Sequence, residues 1–304
     1  MPATTKTGSY PIGFRQGWSE WQKDVDGLIA FARDNGFAAL DFGPPRTRAE
    51  LQKVVDAGLK VGTIDPVGAW SDLASPDAGK RAAAAQRTID YVAAVAPLAT
   101  LVFSVAVVED HARARAENFR FVVDGYGRLC EGVAKHGVKV LIEGWPGGGP
   151  HYSSIGCTPA DYRALLKELP ANAGINFDPS HLVRMGIDPL RFVDEFSASI
   201  HHVHGKDTEL LADELYEHGN LQPATFAKGH GFGAHHWRYC VPGRGSIAWK
   251  PLFAKLAAVG YRGLVSIELE DEEFNTDAAG EQRGLIEAKR FLSTEAAAAR
   301  AAKS

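Results

Sequence analysis

The sequence predicts an α/β protein, a single (β/α)8 barrel with a long insertion after its seventh strand. Three observations carry that expectation. Short apolar runs alternate with amphipathic helical stretches along the chain, and this alternation builds a parallel sheet covered by helices. Eight such strand–helix units follow one another within about 290 residues, the usual size of a closed eightfold barrel. The first strand–helix turn carries no GxGxxG, which weighs against an open nucleotide-binding sheet.

The strands are read in order. The first four are expected at 11–15 (PIGFR), 37–42 (FAALDF), 59–65 (LKVGTID) and 99–107 (TLVFSVAVV). The second four are expected at 138–143 (VKVLIE), 173–178 (AGINFD), 199–206 (SIHHVHGK) and 263–269 (GLVSIEL). The helices between them have local signals. WQKDVDGLIAFARDNGF places Val25, Leu28, Ile29 and Ala32 on one face and stops at Asn35-Gly36. TPADYRALLKEL opens with Thr158 as N-cap and Pro159 at the first helical position. AENFRFVVDGYGRLCEGVAKHGV and WKPLFAKLAAVGYRG each end in glycine before the next strand.

Two segments break the rhythm of one domain spanning 1–304. Residues 207–246 separate the seventh strand from its helix by far more than the usual two to six residues. They carry His218, His230, His235, His236, Trp237, Arg238 and Arg244, and read as a loop over the active-site mouth. The end, 294–304 (TEAAAARAAKS), is helix-prone and reads as a frayed tail or an interface arm.

Composition excludes several classes. Net charge is −4 with acids and bases interspersed, so no basic tract invites nucleic acid. The three cysteines are far apart and odd in number, as expected of reduced thiols in the cytoplasm. The N-terminus lacks a basic-then-apolar leader pattern, and no apolar run reaches the roughly 20 residues of a membrane span.

Strand side chains alternate faces, so His202, His204 and Lys206 share one side of the seventh strand and His201 and Val203 the other. Glu143, Asp178 and Glu268 sit at or near the ends of the fifth, sixth and eighth strands. In a parallel barrel those ends form one rim, where barrel active sites lie. Three carboxylates converging there would repel, and one would take up a proton unless a cation intervened. Three oxygens and one imidazole suit one divalent metal ion, Mn²⁺ before Mg²⁺ or Co²⁺, with Zn²⁺ less favoured. The expected ligands are therefore Glu143, Asp178, His204 and Glu268.

Around them, His181 in DPSH could orient a ligand or bond a substrate hydroxyl, and Lys206 could polarise a substrate oxygen or pair with an acid. His202 lies deeper and reads as a core histidine. Asp41, ending the second strand, could touch the substrate or Arg15. Trp145, in EGWPGGG, could stack on a sugar ring beneath a glycine-rich turn. Arg238, Arg244, His230, His235 and His236 could hold a phosphate, a carboxylate or hydroxyls, or protonate a leaving group.

The order Glu143, Asp178 in DPSH, His204 in HGKD and Glu268 in SIELE resembles the xylose-isomerase-like TIM barrels of the sugar phosphate isomerase/epimerase family. GRGSIAWKPLF is similar to that family's glycine-rich stretch before its seventh helix. The resemblance covers nearly the whole chain. It implies one divalent metal, often Mn²⁺, on the four matching residues, with Glu143 and Glu268 as acid and base on opposite substrate faces. It implies a small-molecule keto-sugar substrate and an enediolate intermediate in isomerisation or epimerisation. The alternative on the same scaffold is a lyase or dehydratase eliminating from a keto-sugar, inosose or 3-keto-glycoside. The family's DNA-repair endonucleases use extra histidines after strands three and four, where this chain reads TIDP and FSVAVVED. Family members are often oligomers, so the resemblance leaves a homo-oligomer or a partner subunit open.

Overall fold

The computed structural model describes residues 10–148, 152–221 and 228–301. Eight parallel strands close into a barrel: β1 (Ile12–Arg15), β2 (Ala39–Phe42), β3 (Lys60–Ile64), β4 (Leu101–Val107), β5 (Lys139–Glu143), β6 (Ala173–Phe177), β7 (Ile200–Gly205) and β8 (Val265–Ile267). Each pairs with its sequence neighbours, β8 returns to β1, and β3 meets β4 through Ile64 and Val102. The strands fall within the expected runs, trimmed by a residue or two at most ends.

Helices surround the sheet as their signals require. α1 (Val25–Asp34) buries Val25, Leu28, Ile29 and Ala32, is capped by the Asp24 carboxylate, and stops at Gly36 with φ +64°. α2 is Arg48–Asp56, α3 Ala78–Val95 and α4 Arg115–Ala134. α5 (Pro159–Glu168) has the Thr158 side chain accepting from Asp161 N. α6 is Pro189–Phe196 and α7 Trp249–Ala258. The last helix, α8 (Ala278–Ala301), differs from the expected fraying. Ala296 and Ala299 are buried in the core, so its small residues let the helix lie close against the body. Residues 302–304 of the expected tail lie outside the described residues.

The barrel interior is packed, and toward the rim it turns polar. Register decides which polar groups meet. Arg15 pairs with Asp41, Glu143 with Asn176, Asn176 with His202, and His204 with Ser266. Two irregularities matter. Between β6 and β7 an extra residue on β7 brings His202 opposite Asn176. Between β2 and β3 a similar slip leaves the Thr63 N–H free of the ladder, and Asp41 Oδ1 accepts it at 3.0 Å. A Cβ at Gly62 would lie 1.8 Å from that oxygen, so only glycine permits this approach.

The insertion is not a plain loop. Asp207–Leu210 and Trp237–Cys240 form an antiparallel hairpin, with a short helix Ala212–His218 between them. Residues 222–227 of the insertion lie outside the described residues. No helix among the described residues is long and apolar enough to cross a membrane.

Candidate metal centre and active site

The site grows from the ends of β5 to β8. Glu143 closes β5 and is buried. Asp178 follows β6 and caps the short helix Pro179–Arg184, its Oδ1 accepting from Ser180 N at 2.8 Å. That cap fixes the carboxylate and turns His181, one helical turn on, back toward Glu143. His204 lies inside β7, Lys206 just beyond it, and Glu268 just beyond β8.

Ligand-type atoms of Glu143, Asp178, His204 and Glu268 all lie within 4.8 Å of one another. His204 Nδ1 is 2.7 Å from Glu143 Oε2, 3.4 Å from Glu268 Oε2 and 4.0 Å from Asp178 Oδ2. Burial works against charge here, yet Glu143 and Glu268 hold His204 protonated well above the usual imidazole range. Burial likewise pushes the Glu143 carboxyl up, but His204 outweighs it and leaves the group below the usual carboxylate range. At Glu268 burial is overcome by Lys206 and then His204, again depressing the carboxyl.

Lys206 Nζ bonds Glu268 Oε2 at 2.5 Å and Glu270 Oε2 at 2.9 Å, and lies 3.2 Å from Asp178 Oδ2. The lysine is buried, which disfavours its charge, but Asp178, Glu268 and Glu270 hold its proton well above the ordinary range. Its surroundings match the acid-pairing alternative for this residue. Arg15 forms a two-pronged pair with Asp65 at 2.9 and 2.6 Å, and its Nε is 3.4 Å from Glu268 Oε1.

The donor set fits a divalent cation. Asp178 Oδ2 and both ring nitrogens of His204 are buried without an aligned hydrogen bond, although charges of opposite sign stand near. Those contacts are electrostatic proximity, not directed bonds. Buried polar atoms left so are costly unless another partner takes them. Three carboxylate oxygens and one imidazole nitrogen are the donors that Mn²⁺ or Mg²⁺ accepts.

A second group lies deeper. His202 Nδ1 meets Asn176 Oδ1 at 2.5 Å, and His202 Nε2 is 3.2 Å from Asp41 Oδ2. His204 Nε2 is 3.9 Å from the same oxygen. The Asn176 amide nitrogen bonds Glu143, so its oxygen faces His202. This polar floor backs His204 and keeps its Nδ1 toward the carboxylates. His202 is completely buried, as a core residue is, and joins Asn176 to Asp41.

Above the cluster opens a cavity of about 380 Å³. Arg15, Glu143, Trp145, Lys206, Glu268 and Phe232 are among its lining residues. Trp145 thus stands where stacking on a ring is available, while Gly149 of its loop lies outside the described residues. The remaining cations of the insertion go elsewhere. Arg238 bonds Glu209 at 2.7 Å and Glu273 at 3.0 Å, and Arg244 bonds Glu287 at 2.9 Å and Glu273 at 2.7 Å. Neither lines the cavity, because acids of the insertion and the segment after β8 already satisfy them. His236 lines a separate cavity of about 670 Å³ beside Arg184 and Cys157, and His230 bonds Glu272 at 2.8 Å.

The chain belongs to the xylose isomerase-like TIM barrel family, whose model matches residues 29–294. Among curated relatives, the uncharacterized protein YfiH of Bacillus subtilis is 36% identical over 113 residues, 34% of this chain and 33% of that protein. Inosose dehydratase of Geobacillus thermodenitrificans is 29% identical over 159 residues, 51% of this chain and 48% of that protein. The matches therefore span half or less of these relatives. Among solved structures, L-ribulose 3-epimerase shares the fold at TM-score 0.71 and 18% identity, over 96% of each chain. The 3-keto-D-glucoside 4-epimerase of E. coli does so at TM-score 0.65 and 16% identity, over 92% of this chain and 99% of that one.

Sequence reasoning missed four residues of this family member's site. Tyr239 bonds His181, Asn176 bonds Glu143, Asp65 holds Arg15, and Phe232 lines the cavity with φ +56°. Asp65 had a signal, since it ends the third strand as Asp41 ends the second. Tyr239 had none, because the hairpin that delivers it is not written in local periodicity.

Proposed function

We propose that the chain is a divalent-metal-dependent enzyme that moves a proton at the carbon beside a carbonyl of a keto-sugar or sugar derivative, as an isomerase or epimerase. The observation that carries this reading is the meeting of four ligand-type side chains at the carboxyl-end rim, opening into a cavity of about 380 Å³. Glu143, Asp178, His204 and Glu268 would hold the ion, which supplies positive charge for oxygens that become more negative as the proton leaves. The two glutamates are the acid and base. In each, one oxygen faces His204 while the other faces a different partner, His181 for Glu143 and Arg15 for Glu268. That division lets one oxygen stay in the cluster while the other accepts or returns a proton. Lys206, tethered by acids, sets the charge beside Glu268, and Trp145 offers an apolar face to a ring.

A second reading is elimination, favoured by the curated relatives named inosose dehydratase. Both readings start with the same proton abstraction and differ in whether a β-substituent leaves.

The test is product analysis in D₂O with manganese-loaded protein and a panel of ketoses, inososes and 3-keto-glycosides. Isomers carrying deuterium beside the carbonyl are expected, and an unsaturated product would select elimination. Glu143→Gln and Glu268→Gln should each lower turnover by roughly 10²-fold or more. Protein that binds manganese yet exchanges no proton of any panel member would sink the proposal.

A further inference from the structure

The insertion after β7 reaches the site through one tyrosine. Tyr239 is buried on the returning strand of the hairpin, and its hydroxyl lies 2.6 Å from His181 Nδ1 and 2.7 Å from Arg184 Nη1. Arg184 is held in turn by Gly147 O at 2.6 Å and by the Trp237 ring, 3.9 Å from its guanidinium carbon. On its other side, His181 Nε2 is 3.2 Å from Glu143 Oε1 and 3.4 Å from Asp178 Oδ2.

The direction of every bond in this chain follows from donor chemistry. Guanidinium groups only donate, so the Tyr239 oxygen accepts from Arg184. Carboxylates only accept, so the His181 nitrogen that faces them, Nε2, carries a hydrogen. The Tyr239 oxygen is occupied by Arg184, and its single hydrogen points at Nδ1, which accepts it. The opposite tautomer would set the Nε2 lone pair against two carboxylate oxygens.

We infer that Tyr239 and Arg184 are positioning residues, which lock His181 as the Nε2–H tautomer so that it presents a donor to Glu143. The insertion is thereby part of the catalytic support, not only a cover. The inference rests on the proposed use of Glu143 as acid or base, but its first test does not need turnover.

In magnesium-loaded protein labelled with ¹⁵N-histidine, His181 should show a protonated Nε2 and an unprotonated, hydrogen-bonded Nδ1. A protonated Nδ1 overturns the inference whatever the enzyme's substrate. In Tyr239→Phe the Nδ1 resonance should move to that of a free acceptor, and Arg184→Met should move it part of the way. An unmoved resonance in either folded variant also overturns it. With a substrate from the D₂O panel, Tyr239→Phe should lower kcat roughly 10–100-fold with little change in KM. Unchanged kcat would likewise count against it. If the tautomer is as stated but no substrate turns over, the proposed function fails and the assignment of Tyr239 to His181 stands.

Discussion

At Asp65 burial and pairing pull against each other. It is almost fully buried, which pushes its carboxyl up to about 6, even though Arg15 grips both oxygens and works the other way. A carboxyl with a raised pKa binds its proton more tightly in the folded state. Stability contributed by this group is therefore present below about pH 4 and lost as pH rises through about 6. Comparing wild type with Asp65→Asn by urea unfolding should show the variant gaining about 2–3 kcal/mol relative to wild type between pH 4 and pH 7. A difference independent of pH would contradict this account. Residues such as Asp65 also mark the limit of what local sequence can tell. Glu143, Asp178, His204 and Glu268 were readable because a polar residue ending an apolar strand is a local anomaly, and parallel strands bring such ends to one rim. Which partner each would have was not readable. Asn176 faces His202 only because of an extra residue in the β6–β7 ladder, and Arg238 and Arg244 look like substrate ligands until Glu209, Glu273 and Glu287 are seen beside them.

At the scale of elements, the insertion shows how a segment without periodicity can still be firmly built. Its two ends are tied by one buried carboxylate. Asp207 Oδ1 accepts from Thr208 N at 2.9 Å and Ile247 N at 3.0 Å, while Oδ2 accepts from Gly243 N at 3.1 Å and the Trp249 indole at 2.9 Å. A Cβ at Gly245 would lie 2.3 Å from Oδ1, so the chain must be bare where it passes this side chain. Removing the carboxylate would strand four donors, each costing about 1–3 kcal/mol if left buried and unpaired. Solvent reaches some of them on relaxation, so Asp207→Ala is expected to destabilise by about 3–5 kcal/mol. Because the partner strand of the same hairpin carries Tyr239, the variant should also release His181 from its partner. A loss below about 1 kcal/mol in chemical denaturation would show that the hairpin closes without this tie. Four of the helices, by contrast, were legible, since caps such as Thr158 and stops such as Gly36 act within one turn. The last helix was legible as helix-prone but not as buried, because an alanine-rich sequence says nothing about whether a flat surface lies beneath it.

For the whole molecule, charge around the cavity decides which form of the proposed sugar substrate can enter. Bound metal comes first. Manganese at 100 times its Kd should stabilise the protein by about 2.7 kcal/mol, raising Tm by roughly 5 °C over chelator-treated protein, and no shift would argue against the four-residue site. Beyond the ion, the cations among the described lining residues are Arg15 and Lys206, and both are already paired with carboxylates. Glu270 and Glu281 line the same cavity, so negative charge remains after Glu143 and Glu268 are assigned to the metal. A phosphate carries about −1.5 to −2 charges near neutral pH and needs free donors or cations to offset its desolvation. The phosphorylated form of any accepted ketose should therefore show kcat/KM at least about tenfold lower than the neutral sugar, a penalty of about 1.4 kcal/mol or more. Side-by-side kinetics on one sugar and its phosphate ester measure the ratio directly. Added salt should narrow it only slightly, because charges buried in the cavity are screened far less than surface ones. A phosphate ester that reacts as well as its parent sugar would mean that Arg15 or Lys206 abandons its acids when substrate binds.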